Sequence, residues 1–295
     1  MTLAELIERT ALRFAGAPLF YGHGTDNAHD EAAWLVLRGL GLPFGSDLTR
    51  EVQGSDAERI DRLAMRRIGE RMPLAYLLEE AWFAGQSFYV DERVIVPRSH
   101  IAELLREPFV VRRGAGRVLD LCTGSGCLAI LVAHAFGAQV DAADISRAAL
   151  AVARKNVARH RLGRRVHLRR SDLFAHLGAT RYDLILTNPP YVSARAMDAL
   201  PPEYRHEPRM ALAGGTDGLD LVARILATAH AHLTPEGLLV CEVGDAKAAV
   251  QRRFGRFGLR WPKAEVFSVE RASLAAAAST AASARTPASR SRAKR

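Results

Sequence analysis

Residues Asn188-Pro189-Pro190-Tyr191 close an apolar run, Tyr182 to Thr187, that reads as a buried parallel strand. Two adjacent prolines end the strand and remove two backbone donors. The turn that remains is weighted toward acceptors, the Asn188 side-chain oxygen and the Pro189 carbonyl. Two acceptors suit a planar nitrogen, either an amide or an exocyclic amino group. Its lone pair is delocalised and it carries two N–H donors, so it reacts only when held in line with its electrophile. Proline rings pre-aim the carbonyl, and preorganised acceptors stabilise the positive charge that grows on nitrogen. The proton can leave after that charge develops, so no general base is needed first. Asn188, Pro189 and Tyr191 are the catalytic candidates; with Pro190 they form the substrate clamp, and Tyr191 supplies a ring to stack on the planar group.

A second group lies in Val118-Leu119-Asp120-Leu121-Cys122-Thr123-Gly124-Ser125-Gly126. Glycines 124 and 126 permit a tight turn and close approach of a ligand to the start of the next helix. Asp144 follows Gly124 by about 20 residues, the distance at which an acid meets an adenosine ribose. Taken alone, this turn serves a nicotinamide dinucleotide or S-adenosylmethionine equally well. Asp120, four residues before Gly124, gives the segment a pattern that resembles motif I of class I methyltransferases. Its carboxylate would add negative potential near a cationic sulfonium. Asp172, after a third strand, falls where those enzymes contact the adenine amino group, with Leu173 against the ring. The expected cofactor set is Asp120, Cys122, Thr123, Gly124, Ser125, Gly126, Asp144, Asp172, Leu173 and Asn188.

The elements that must position these residues follow from the pattern around them. From Arg117 onward strand-like and helix-like stretches alternate, which predicts a mostly parallel sheet with helices on both faces. Ligands of such sheets sit at the carboxyl ends of the strands, where Asp144, Asp172 and Asn188 all fall. Residues 1–72 read as a small helical domain, with capping boxes at Thr2/Glu5 and Ser55/Glu58, and with His23 and His29 solvated. Residues 73–100 read as a linker holding a β-hairpin around Gly85 and a further strand before Pro97. Residues 101–270 form the cofactor domain, and 271–295 a disordered tail of Ala, Ser, Thr and Arg.

Bulk properties narrow the class. Hydrophobic content of 48% and charged content of 25% are ordinary for a globular protein. No apolar stretch approaches the ~18 residues of a membrane helix, and the acidic, amphipathic start does not read as a signal peptide. Three cysteines, two of them Cys122 and Cys127, fit neither a disulfide framework nor a zinc pair. A reduced, cytoplasmic setting is the expectation, with no metal and no membrane. Of the net charge of +9, five positive charges fall after residue 271, which leaves about +4 on the body.

Together, "NPPY" and "DLCTGSGCLAI" resemble the amino methyltransferases of planar nitrogen, which include adenine-N6 enzymes and the HemK/PrmB protein-glutamine methyltransferases. The stretches 88–105, 200–222 and 238–245 are similar to the PrmB branch, which acts on a large-subunit ribosomal protein, the third in the standard naming (uL3). This resemblance spans roughly residues 1–270. It implies a class I methyltransferase fold with a seven-stranded sheet, a helical substrate-binding domain and S-adenosylmethionine as cofactor. It also implies N5-methylation of a glutamine bound by Asn188, with Arg98 and Glu103 lining the crevice from the hairpin side. The tail implies at most a weak ribosomal RNA contact, and its removal is expected to leave activity on the free protein unaltered.

Methylation of a translation release-factor glutamine is the near alternative. Adenine-N6 methylation is the more distant one, since it calls for a basic, aromatic-studded recognition face that residues 1–72 lack. A scaffold that has lost its chemistry would not need Asn188, Asp144 and the glycine turn intact.

Overall fold

A computed structural model describes residues 1–283. Four helices come first: α1 (Leu3–Ala15), α2 (Ala28–Gly39), α3 (Gly54–Glu70) and the short α4 (Leu74–Leu77). The hairpin strands β1 (Ala81–Phe83) and β2 (Gln86–Phe88) follow, then α5 (Ile101–Leu104) and α6 (Pro108–Gly114). The alternating region runs β3 (Arg117–Leu121), α7 (Cys127–Phe136), β4 (Gln139–Asp144), α8 (Arg147–Arg159), β5 (Val166–Arg170) and β6 (Tyr182–Thr187). After α9 (Ala194–Asp198), a 3-10 turn (Pro202–His206) and α10 (Arg209–Leu212), the chain continues as α11 (Asp220–His232), β7 (Leu233–Glu242), α12 (Lys247–Phe254), β8 (Val266–Glu270) and α13 (Arg271–Ser283).

The large sheet has the order β5-β4-β3-β6-β7-β8, parallel except for the β7–β8 pair. Strands β3 and β6 are central and buried on both faces, which is why they read as continuous apolar runs. The chain winds outward from β3 through β4 to β5, then crosses back to β6 on the other side of β3. This switch point opens a crevice above the carboxyl ends of the strands. One apolar core packs α11 and α13 against one face, and a second packs α7 against the other. A third core joins α1–α4 to the stretch after the hairpin, and extends to Ala149 and Val152 of α8.

Several expectations are corrected. The sheet has six strands, not seven: the segment that would make the seventh is reduced to one antiparallel bridge, Arg260 with Ser268. Gly258 in the left-handed region precedes that bridge and Pro262, which cannot donate, follows it, so the ladder does not extend. Val94-Ile95-Val96 forms no strand; the Val94 carbonyl accepts from the Tyr76 hydroxyl, and the Val96 amide donates to Glu207. The Thr2/Glu5 capping box forms with both of its bonds. The Ser55/Glu58 box does not, because α3 begins two residues earlier than that box requires, at Gly54, without a side-chain cap.

His23 is buried rather than solvated, whereas His29 is exposed. The tail expected to lack structure from residue 271 forms α13. Alanine is the strongest helix former, and Leu274 (0% exposed) and Ala277 lie in the core shared with α11 and β7. The basic side chains from Arg285 onward lie outside the described residues.

Candidate active site

Two cavities open side by side above the sheet, of about 410 and 490 Å³. The smaller is walled by the ends of β3, β4 and β5 through Cys122, Gly124, Asp144, Ile145, Asp172 and Leu173. The larger is lined by Asn188 through Ser193, Arg98, Tyr204 and Asp245. Asn188 and Pro190 belong to both walls, with Ile95 and Ala211 opposite. The tetrapeptide read as catalytic is therefore the partition between two chambers.

Asp144 ends β4 half-buried, and each of its oxygens takes one backbone amide, Gly124 N at 2.9 Å and Ser146 N at 2.8 Å. Burial raises its pKa above the ordinary aspartate range, against the pull of these amides. Each oxygen keeps lone pairs for a further donor. Cys122 and Leu173, both on this wall, hold φ of +59° and +47°, a costly conformation for residues with a side chain. Such outliers cluster at ligand sites. Burial pushes the Cys122 thiol far above its usual pKa, reinforced by Asp144 and Asp120, so it presents a neutral surface.

Asp120, Thr123, Ser125 and Gly126 stand behind this wall rather than on it. Asp120 is 1% exposed and spends one oxygen on the Thr123 hydroxyl at 2.5 Å and the Ala129 amide at 3.1 Å. Its other oxygen is buried without a partner, and burial lifts its pKa to about 7. Asp120 shapes the turn from beneath. Asp172 sits at the rim, paired with Arg224 at 2.8 Å.

Asn188 donates its Nδ2 proton to the Arg98 carbonyl at 3.1 Å, which leaves its Oδ1 as the free acceptor. The Pro189 carbonyl accepts no hydrogen bond among the described residues. Both expected acceptors are thus available. Tyr191 is mostly buried, and burial with nearby Glu242 holds its pKa at about 12, so the phenol stays neutral. Arg98 lines the larger cavity, stacked over Tyr204 at 5.3 Å. Glu103 does not line it: the side chain is exposed and engages Lys263 and His100.

Residues 101–200 match the family model described as the methyltransferase small domain. The chain is 51% identical over 265 residues to the ribosomal protein uL3 glutamine methyltransferase of Bordetella pertussis (strain Tohama I), covering 86% of this chain and 88% of that one. The chain belongs to the uL3 glutamine methyltransferase family. Proteins of the same name from Burkholderia pseudomallei (strain K96243; 48% over 275 residues, 88% and 90% covered) and Bradyrhizobium diazoefficiens (strain USDA 110; 47% over 293 residues, 93% and 92% covered) are similar throughout their length.

Like other class I methyltransferases, the uL3 glutamine methyltransferase family uses S-adenosylmethionine, and the smaller cavity fits it. A volume of about 410 Å³ lies in the range of ligand sites. Asp144 offers a ribose two acceptors, and a Cβ at Gly124 would meet nothing within 4 Å, so the space before the turn is open.

For this family member, sequence reasoning missed the roof of both chambers. Arg93, Val94 and Ile95 cover the cofactor side from the linker, and Met210 to Gly215 close it from the other. The available signal was the glycine-rich run Gly214-Gly215-Thr216-Asp217-Gly218. A Cβ at Gly214 would stand 2.7 Å from Tyr191 Cα, and one at Gly218 only 2.3 Å from the Tyr191 carbonyl oxygen. Glycine lets this strap lie directly against the tetrapeptide's backbone.

The missed charged residues tie the helical domain and the linker to the segment before this strap and to the end of β7. Glu207 accepts from Arg98, from the Val96 amide at 2.9 Å, and lies 3.6 Å from His23; Arg98 and His23 hold its pKa at about 2. Glu203, fully buried, accepts from Arg71, Arg67 and the Phe20 amide, which hold it at about 2 as well. Glu242 accepts from the Ser99 hydroxyl and the His100 amide. Acids spaced this irregularly carry no sequence signature.

Proposed function

We propose that this chain transfers the methyl group of S-adenosylmethionine to the side-chain amide nitrogen of a glutamine in ribosomal protein uL3. The observation that carries the reading is the position of Asn188 between two cavities, its amide fixed by the Arg98 carbonyl so that Oδ1 is the group on offer. Bound in the smaller cavity, the cofactor supplies an electrophilic methyl group on a sulfonium. Asp144 holds the ribose, and Leu173 packs on the adenine.

In the larger cavity the glutamine amide donates one N–H to Asn188 Oδ1 and the other to the Pro189 carbonyl. These acceptors turn the nitrogen toward the partition and stabilise the positive charge that develops there. Tyr191 and Arg98 wall the planar group, and the Pro189 and Pro190 rings keep the acceptors from relaxing away. Positioning of this kind contributes on the order of several kcal/mol to lowering the barrier. The proton passes to water once the charge has formed. The helical domain and the hairpin linker hold the protein substrate over the larger cavity. The basic residues beyond 283 add at most weak affinity for ribosomal RNA and take no part in transfer.

Incubation with labelled cofactor and ribosomal proteins from a strain lacking this gene tests the reading. Label is expected in uL3, as one methyl group on a glutamine side chain. Label in a release factor or in RNA, with uL3 unlabelled, overturns it.

A further inference from the structure

The modest charge of the body conceals a strong local asymmetry. Between Ile145 and Ser171 the chain carries nine cations and no acid: Arg147, Arg154, Lys155 and Arg159 on α8, Arg161, Arg164 and Arg165 in the turn, Arg169 and Arg170 on β5. All nine are exposed. Arg159 pairs with Glu80 at 3.7 Å and Arg169 with Asp141 at 3.1 Å, and Lys155 lies over the Tyr89 ring. The other six have no carboxylate within ion-pair distance among the described residues.

Arg170 points to the α8 side of the sheet, in step with Val166 and Leu168, and joins the cations of α8 and its turn on one surface; Arg169 bonds Asp141 on the opposite face and stands apart from this surface. Helix α8 buries Ala149, Val152, Ala153, Asn156 and Val157, so Arg147 and Arg154, seven residues apart, share its outer face. β5 is the outermost strand, bonded only to β4, and its last two residues are exposed. The face runs about 20 Å along α8 and about 16 Å along β5. A duplex presents one phosphate charge per ~1.7 Å of its axis, so the face spans about ten phosphates.

Protection of a sheet edge requires only a charge or two on the strand itself, yet seven of the nine cations lie off it. Stability does not account for them either. The first turn of α8 holds Arg147 and no acid, which opposes the helix dipole. The segment also contains no Phe, Tyr or Trp, so it offers unpaired bases no stacking platform. Ile145 is its one exposed large apolar side chain, too little to anchor in a lipid surface.

We propose that the outer face of α8 with the β5 edge binds the phosphate backbone of double-stranded RNA, separately from methyl transfer. The choice of RNA over DNA, whose phosphate chemistry is shared, rests on the ribosomal substrate proposed above. Such a face would hold the enzyme on RNA-bearing ribosomal particles while the crevice at the strand ends remains open.

Fluorescence anisotropy with the full chain tests this, using an RNA duplex of about 16 base pairs, the matching DNA duplex and phosphatidylserine vesicles. Wild-type affinity for the RNA is expected to fall linearly in log–log form between about 50 and 200 mM salt. The triple variant Arg154→Gln/Arg161→Gln/Arg164→Gln should make that slope shallower by about three and leave methyl transfer to purified uL3 unchanged. These side chains touch neither cavity. An unaltered slope in the variant, tighter binding of DNA than of RNA, or loss confined to vesicle binding would each overturn the proposal. A wild-type chain that binds RNA but leaves purified uL3 unmethylated refutes the assigned substrate and not the phosphate face.

Discussion

The backbone carbonyl of Arg98 accepts the Asn188 side-chain amide at 3.1 Å, while the Arg98 guanidinium is gripped by Glu207 through two bonds of 2.6 and 2.5 Å. Arg98 thus ties the linker to the partition between the two cavities, and Glu207 ties Arg98 to the segment after Pro201. The amide of Asn188 has one orientation in which Nδ2 reaches this carbonyl, and it directs Oδ1 away from Arg98.

Replacing Asn188 with alanine removes one of the two proposed acceptors and leaves Asp144, the proposed ribose partner, in place. Methyl transfer is expected to fall by about 100-fold or more, consistent with the loss of one preorganised partner. Cofactor affinity by calorimetry should change little. Equal losses in both would show that Asn188 serves binding rather than transfer.

Replacing Asp144 with alanine strands a pair of ribose hydroxyls and frees the Gly124 and Ser146 amides. Each unmet group costs about 1–3 kcal/mol. The dissociation constant for S-adenosylmethionine should rise by about 10- to 100-fold. An unchanged calorimetric constant would remove Asp144 from the cofactor site.

Glu207 and Glu203 are both held at about 2, below the ordinary glutamate value of about 4.3. A carboxylate whose folded pKa is depressed contributes stability that is present above its unfolded pKa and lost as pH falls through the folded one. The clasp between the helical domain and residues 201–208 should therefore weaken between about pH 4.5 and pH 2. Thermal melts should show a steeper acid loss in the wild type than in Glu207→Gln, which lacks one of the two titrating groups. Parallel pH profiles would discount Glu207 as a source of the acid sensitivity.

Helix α13 sets a limit on truncation. Ending the chain after residue 283 should leave the melting temperature near wild type. Leu274→Ala opens a cavity beneath α11 and β7, where the side chain is fully buried, and is expected to cost about 2–4 kcal/mol. Chemical denaturation measures it; a shift below about 0.5 kcal/mol would mean that α13 is not part of the cooperative core.

The sequence by itself determined the parts whose signals are local. Strand-like runs that end at or just before Asp144, Asp172 and Asn188 marked three parallel strands and placed these residues at one rim. The prolines after Asn188 pointed to a rigid acceptor pair, and the Gly124 turn with Asp144 pointed to the ribose site proposed above, because strand period, proline geometry and glycine freedom act within a few residues.

Only the tertiary structure decided what lies across the chain. That Asp120 stands beneath the turn and Asp144 on the wall depends on which side chain the sheet buries, not on spacing. The linker run Val94-Ile95-Val96 has the composition of a strand, but Tyr76 and Glu207 take the backbone groups that a strand would have used. Glu203 and Glu207 reach arginines of α3 and the linker more than a hundred residues away, and no local pattern encodes such pairs. The seventh strand failed because Gly258 and Pro262 flank it, and the alanine-rich tail folded through residue 283 because Leu274 found a core to enter. Spacing along the chain named the acceptors; packing decided that they form the wall between two chambers.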